Sequence, residues 1–210
     1  MKPLIQSATT SLVFFLISAT ASADGPGYWP QWRGPSGQGC VTDSKVPLEW
    51  SDSKNLLWKC QLPGAGHSTP VIWGDRAFLT CANGNGSKRW VMCVNTASGK
   101  IAWQKLAADA ILEKIHNTNS HASPSCVTDG ERVYAFFGTP GLFCYDLDGK
   151  LVWHHRFGIF TSLTGWGIGA SPVLFENLVI QNCDNDGTRV RTVSPKDVAP
   201  PDLEIGRAHV

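Results

Sequence analysis

The sequence predicts an all-β chain of repeated four-stranded antiparallel sheets, and three observations predict it. The first is a phrase that recurs. Ser98-Gly99-Lys100-Ile101-Ala102-Trp103 returns as Asp148-Gly149-Lys150-Leu151-Val152-Trp153, with the two tryptophans 50 positions apart. The second is the regular alternation of short β-branched and aromatic runs with Gly, Asn and Asp clusters, the pattern of strands joined by tight turns. The third is composition: nine tryptophans and only 17% charged residues suit a packed, strand-rich protein and not a disordered one. A fixed period of roughly 40–50 residues built of short strands is the mark of a β-propeller, whose blades cannot bury both faces alone. The fold class expected is therefore an incomplete β-propeller of four-stranded antiparallel blades, cut from a ring of about seven or eight.

The elements follow in order. An earlier partial unit ends in a strand over residues 55–59, whose Trp58 precedes Trp103 by 45 positions. The first complete unit has strands over 70–73, 76–82, 89–95 and 101–104. Gly74-Asp75, Asn83-Gly84-Asn85-Gly86-Ser87 and Ser98-Gly99-Lys100 turn between them. The second has strands over 124–127, 132–137, 142–146 and 151–154, turned by Asp129-Gly130, Thr139-Pro140-Gly141 and Asp148-Gly149-Lys150. A third starts at 171–175 and 178–183, and Asp184-Asn185-Asp186-Gly187 reads as its hairpin turn, because the glycine comes too early for a calcium loop and no closing Glu follows. Pro70, Pro124 and Pro172 open their strands, where a missing N–H is harmless. The insert over 106–119 has helical character around 107–115 and reads as a loop on one face.

The ends read differently. Residues 1–23 have the form of a secretory signal peptide: Lys2, an apolar stretch around Leu12 to Ile17, and Ala21-Ser22-Ala23 as a small-x-small cleavage site. The propeller fragment is expected over 24–187, with two complete and two partial blades. Residues 188–210 read as an unstructured tail. The last seven, 204–210, match the translation of a common sequencing adapter and are expected to be an artefact. The balance of 18 basic and 17 acidic residues offers no basic stripe for a nucleic acid. The expected location is periplasmic or secreted, with no stable membrane anchor.

Seven cysteines are present and no C-x-x-C pair, so zinc-ribbon, thioredoxin-like and c-type haem chemistry lack their motif. Cys93 and Cys144 fall at matching positions of the two repeats and read as small buried strand residues, with a Cys81–Cys93 disulfide across a hairpin as the alternative.

These repeats resemble the pyrroloquinoline-quinone-like (PQQ-like) β-propeller family of secreted bacterial type, distantly the BamB-like members. The blade phrase of that family is matched by His67-Ser68-Thr69-Pro70-Val71, Ser98-Gly99-Lys100 with Trp103, Asp129-Gly130-Glu131-Arg132-Val133-Tyr134, Gly149-Lys150 with Trp153, and Ser171-Pro172-Val173. Trp29-Pro30-Gln31-Trp32-Arg33-Gly34-Pro35 resembles the start of its secreted members. The resemblance implies that Trp58, Trp103 and Trp153, with the turn glycines Gly99 and Gly149, staple neighbouring blades together.

Candidate site residues are few. His67 and His121 each precede a strand-opening proline by three positions, which would bring both to one mouth of the central channel as a metal or ligand pair. The competing reading is that each caps a loop. Trp166 would add an aromatic wall. His154-His155 reads as a solvated edge. No catalytic residue is assigned. No Gly-x-Ser-x-Gly, His-Glu-x-x-His or P-loop sequence occurs. The first functional expectation is a non-catalytic binding or assembly scaffold, its partners other envelope or secreted proteins, or a small ligand at the propeller face, with no cofactor. The alternative that the resemblance implies is a fragment of a quinoprotein alcohol or sugar dehydrogenase, which would bind PQQ with calcium. No adjacent Cys-Cys pair of the kind such enzymes stack on the quinone is present.

Overall fold

The computed structural model describes residues 27–41, 46–109, 113–160 and 165–183. The predicted signal peptide, the 184–187 turn, the tail and its adapter-like end lie outside them.

Eleven strands form three antiparallel sheets among the described residues. The first holds β1 (Tyr28–Trp29), β2 (Val71–Trp73), β3 (Arg76–Ala82), β4 (Arg89–Asn95) and β5 (Ile101–Ala108) in sequence order. The second holds β6 (Val127–Thr128), β7 (Arg132–Phe136), β8 (Leu142–Asp146) and β9 (Leu151–His155), and the third is the hairpin β10 (Val173–Phe175) with β11 (Leu178–Ile180). The strands β2, β6 and β10 neighbour one another across the sheets, so the three sheets converge on them as blades converge on a channel. The chain is an all-β partial propeller, as its repeats predict.

The recurrent phrase is legible in the backbone. Asn95 ends β4 and its Oδ1 accepts the Ser98 N–H at 2.9 Å, while the Gly99 N–H donates to the Asn95 carbonyl at 2.8 Å. Asp146 does the same at the end of β8, accepting from the Asp148 and Lys150 N–H groups at 3.0 and 2.8 Å. These are side-chain turns that Asn and Asp favour. Gly99 and Gly149 sit at φ 68° and 82°, which suits glycine. Both blades also carry a register shift directly after the matching cysteine, between Cys93 and Val94 and between Cys144 and Tyr145. A bulge there bends the strand and increases its twist.

Four features differ from the sequence reading. Residues 55–59 make no strand: only a bridge between Ser51 and Lys54 precedes Trp58, and the chain runs as extended coil over the outer face of the first sheet. No helix occurs among the described residues of the 106–119 insert, because β5 continues through Leu106 to Ala108 and pairs with β4. The first sheet has five strands instead of four, since Tyr28 and Trp29 pair with Trp73 and Ile72. The Pro30 carbonyl then accepts from the Thr128 N–H at 2.9 Å, so this segment bridges the inner strands of two blades.

The fourth is a register correction. Val71 pairs with Phe78, Val127 with Tyr134 and Val173 with Ile180, which makes the three valines equivalent. The residue before the strand is then Pro70, Cys126 and Pro172. Pro124 lies two positions further upstream, and His67 corresponds to Ser123 instead of His121. One position earlier than Pro70, Cys126 and Pro172 stand Thr69, Ser125 and Ser171. The Thr69 N–H donates to Ser125 Oγ at 2.8 Å and the Ser125 N–H to Ser171 Oγ at 2.9 Å, so each blade's hydroxyl receives the previous blade's amide.

The core lies between the sheets. Val71, Phe78, Val91 and Cys93 of the first sheet meet Cys126, Val133, Phe143 and Tyr145 of the second, closed by Trp73 and Trp103. Val127, Tyr134, Phe136, Leu142 and Cys144 meet Val179 and Leu174 on the far side. The coil carrying Trp58, Cys60 and Leu62 covers Leu79, Cys81 and Met92. Cys40, Cys60, Cys81, Cys93, Cys126 and Cys144 are free thiols. The Cys81–Cys93 alternative fails because the two sit in different core layers, on opposite faces of the sheet. Cys93 and Cys144 are both fully buried, as their matching positions predict. Burial pushes their thiols up to about 11 and about 12, far from a reactive thiolate.

Candidate functional site

Trp58 and Trp103 pack on a glycine turn by one geometry. Trp58 Nε1 donates to the Thr96 carbonyl at 2.7 Å, and a Cβ on Gly99 would lie 2.5 Å from its ring. Trp103 Nε1 donates to the Leu147 carbonyl at 2.9 Å, and a Cβ on Gly149 would lie 2.7 Å from its ring. Each indole thus lies flat on the next blade's turn, where only glycine leaves room. Trp153 is buried against Tyr134, with ring centroids 5.9 Å apart. Its Nε1 has no hydrogen-bond partner among the described residues. We expect Trp153→Phe to cost about 1 kcal/mol less than Trp103→Phe, since only the latter breaks a made bond and strands a carbonyl. Paired urea unfolding curves check this.

Chemistry concentrates at the loop face where β2, β6 and β10 begin. Arg89 opens β4 with its side chain 1% exposed. Its Nε donates to the Gly86 carbonyl at 2.9 Å, and Nη1 donates to Glu113 Oε2 and to the Phe137 carbonyl, each at 2.7 Å. Glu113 Oε1 accepts the Thr139 N–H at 2.8 Å. Arg89 Nη2 lies 3.3 Å from His121 Nδ1. A guanidinium can only donate, so Nδ1 must be the acceptor and the neutral ring carries its proton on Nε2. Gly86, at φ 71°, packs on that ring, where a Cβ would lie 2.1 Å from Cδ2. Burial, then Arg89, hold His121 below the ordinary imidazole range, with Glu113 opposing.

Of the predicted site residues, His67 is exposed and His121 half-buried. Their segments are adjacent: the His67 N–H donates to the Ala122 carbonyl at 3.1 Å. The Nδ1 of His121 is turned to Arg89. Trp166 is 57% exposed and its ring sits 4.4 Å from that of His116. The Asn119 amide donates to the Trp166 carbonyl at 2.6 Å, tying the 113–123 loop to the next blade's loop. The predicted solvated edge at 154–155 holds for His154, which is exposed, and fails for His155, which is buried. His155 is buried and edge-on to Phe157, and His154 stacks on Phe143 at 4.0 Å and bonds the Pro140 carbonyl. Adjacent on strand β9, the two side chains point to opposite faces of the sheet. Burial lowers the His154 pKa.

Sequence reasoning missed Arg89 and Glu113. The available signal was a lone arginine at the head of the apolar run Trp90-Val91-Met92-Cys93-Val94. No second blade repeats it, so the repeat gave no support. Among the described residues, no group of three or more His, Cys, Asp and Glu converges as a metal set would, and no helix is long and apolar enough to cross a membrane.

Comparison with known proteins gives one family. A family model of PQQ repeats, described as outer membrane protein assembly factor BamB, matches residues 40–196. No curated protein matches the chain. Among solved structures, it is similar to one titled europium-containing methanol dehydrogenase, at 15% identity and a TM-score of 0.47. That match covers 75% of this chain and 27% of the other.

Proposed function

Since the chain belongs to the PQQ-repeat family whose model is described as outer membrane protein assembly factor BamB, we propose that it acts as a non-catalytic, extracytoplasmic binding or assembly scaffold. One observation carries this reading beyond the family. Two charged groups at the loop face, Arg89 and Glu113, are spent on the protein itself, with Arg89 bonded to Glu113 and to two backbone carbonyls. Such bonding fixes the shape of this part of the face, with Arg89 and Glu113 turned to the protein and not toward a substrate. Partners are other envelope or secreted proteins, or a small ligand held near His67, His121 and Trp166. The extracytoplasmic location rests on the leader read in residues 1–23. Trp58, Trp103 and Trp153 with Gly99 and Gly149 serve as blade staples.

The test is a titration of the full-length gene product with PQQ and calcium, followed by absorbance and by alcohol-dependent dye reduction. We expect neither stoichiometric binding nor turnover. Saturable binding accompanied by turnover would replace the scaffold with a quinoprotein dehydrogenase.

A further inference from the structure

We propose that Arg89, Glu113 and His121 form a pH-sensitive latch that fixes the loop face at neutral pH and releases residues 113–121 when His121 is protonated. The latch joins four segments. The 83–88 turn meets the His121 ring through Gly86. Strand β4 supplies Arg89. The loop between β5 and β6 supplies Glu113 and His121. The turn after β7 supplies the Phe137 carbonyl and the Thr139 amide. The charged groups facing His121 are Arg89 from β4 and Glu113 from its own loop.

The geometry requires a neutral imidazole. At 3.3 Å the Arg89 Nη2–H and a protonated Nδ1–H would point at one another. Protonation also sets a second cation against a guanidinium that is 1% exposed, where solvent screens little. Glu113 already holds Arg89 through one oxygen and the Thr139 amide through the other. The protonated state is therefore accommodated by moving the loop. The far end of the loop stays, because the Ala122 carbonyl accepts from the N–H groups of His67 and Ser68, each at 3.1 Å. The near part carries Asn119, whose amide holds the Trp166 carbonyl. Opening thus reaches the next blade's loop and uncovers the surface around Trp166.

The direction follows from linkage. A base whose folded-state pKa is depressed binds fewer protons folded than unfolded. Its contribution is complete above the ordinary imidazole range and is lost as pH falls from there through the folded value. A mildly acidic medium is the releasing condition.

Amide hydrogen exchange of the full-length chain, corrected for the intrinsic pH dependence of exchange, tests the latch. In the wild type, residues 113–121 and 165–168 should exchange at least about tenfold faster at about pH 5 than at about pH 7.5, while β3 and β4 stay protected. His121→Asn places a carbonyl oxygen where Nδ1 stood, keeps the Arg89 bond and cannot titrate, so its protection should not change with pH. His116→Asn and His154→Asn should retain the wild-type step. A wild-type loop with no step, or an unchanged step in His121→Asn, overturns the proposal. If His121→Asn does not fold, the wild-type imidazole ¹⁵N shifts decide. An unprotonated Nδ1 at neutral pH, titrating together with loop exchange, supports the latch. A proton on Nδ1 at neutral pH overturns it.

Discussion

Trp103→Ala is expected to destabilise the chain by about 3–5 kcal/mol, the range for emptying a large aromatic site. The indole closes the core between the first and second sheets. It lies 5.9 Å from Phe78 and 6.1 Å from Tyr145, on either side of the blade interface. Its loss strands the Leu147 carbonyl and removes the surface on which Gly149 lies. Leaving a gap at that turn also frees the Asp146 cap from the layer behind it. Equilibrium urea unfolding, with the midpoint and slope both fitted, measures the loss. An Ala substitution at the exposed Leu57 should change stability by less than about 0.5 kcal/mol.

The second large effect is expected at Arg89. Arg89→Met keeps the apolar stem but leaves Glu113 charged, nearly buried and without its cation, a cost of about 3–5 kcal/mol. The Glu113 side chain is 12% exposed, so water can relieve it only in part. The Gly86 and Phe137 carbonyls lose a donor in the same step. Adding Glu113→Gln should recover part of the loss, because an amide is far cheaper to leave there than a carboxylate. Thermal unfolding of the two single variants and the double variant gives the coupling directly. Additive losses would show that the pair does not interact as drawn.

How much of this was readable beforehand depends on what repeats. The strands at 76–82, 89–95 and 142–146 were legible to the residue, because their turns are fixed by glycine and by Asn or Asp side chains. The buried state of Cys93 and Cys144 followed from their matching places. The inner strand of the second blade was misplaced, since Pro124 looks like Pro70 but sits two residues early, and side chains two apart in a strand face the same way. That slip made His67 and His121 look equivalent. Residues 55–59 have a strand's composition, yet an extended segment becomes a strand only when another pairs with it. The Arg89 cluster was hidden for a different reason. Its members come from positions 86, 89, 113, 121 and 137, and only the packing of two blades brings them together.

The indole clasp has an optical consequence. Trp103 belongs by sequence to the outer strand of the first sheet, yet its ring contacts and hydrogen-bond acceptor in the second set its surroundings. Its emission will therefore report the arrival of the neighbour and not the formation of its own sheet. Trp58, on the coil ahead of the first sheet, has its acceptor, the Thr96 carbonyl, on that sheet, so its emission reports the docking of the coil. A sheet can acquire its full backbone signal in far-ultraviolet dichroism while the tryptophan it carries still emits as if in water. The delay between the two signals during refolding times the stacking of blade on blade.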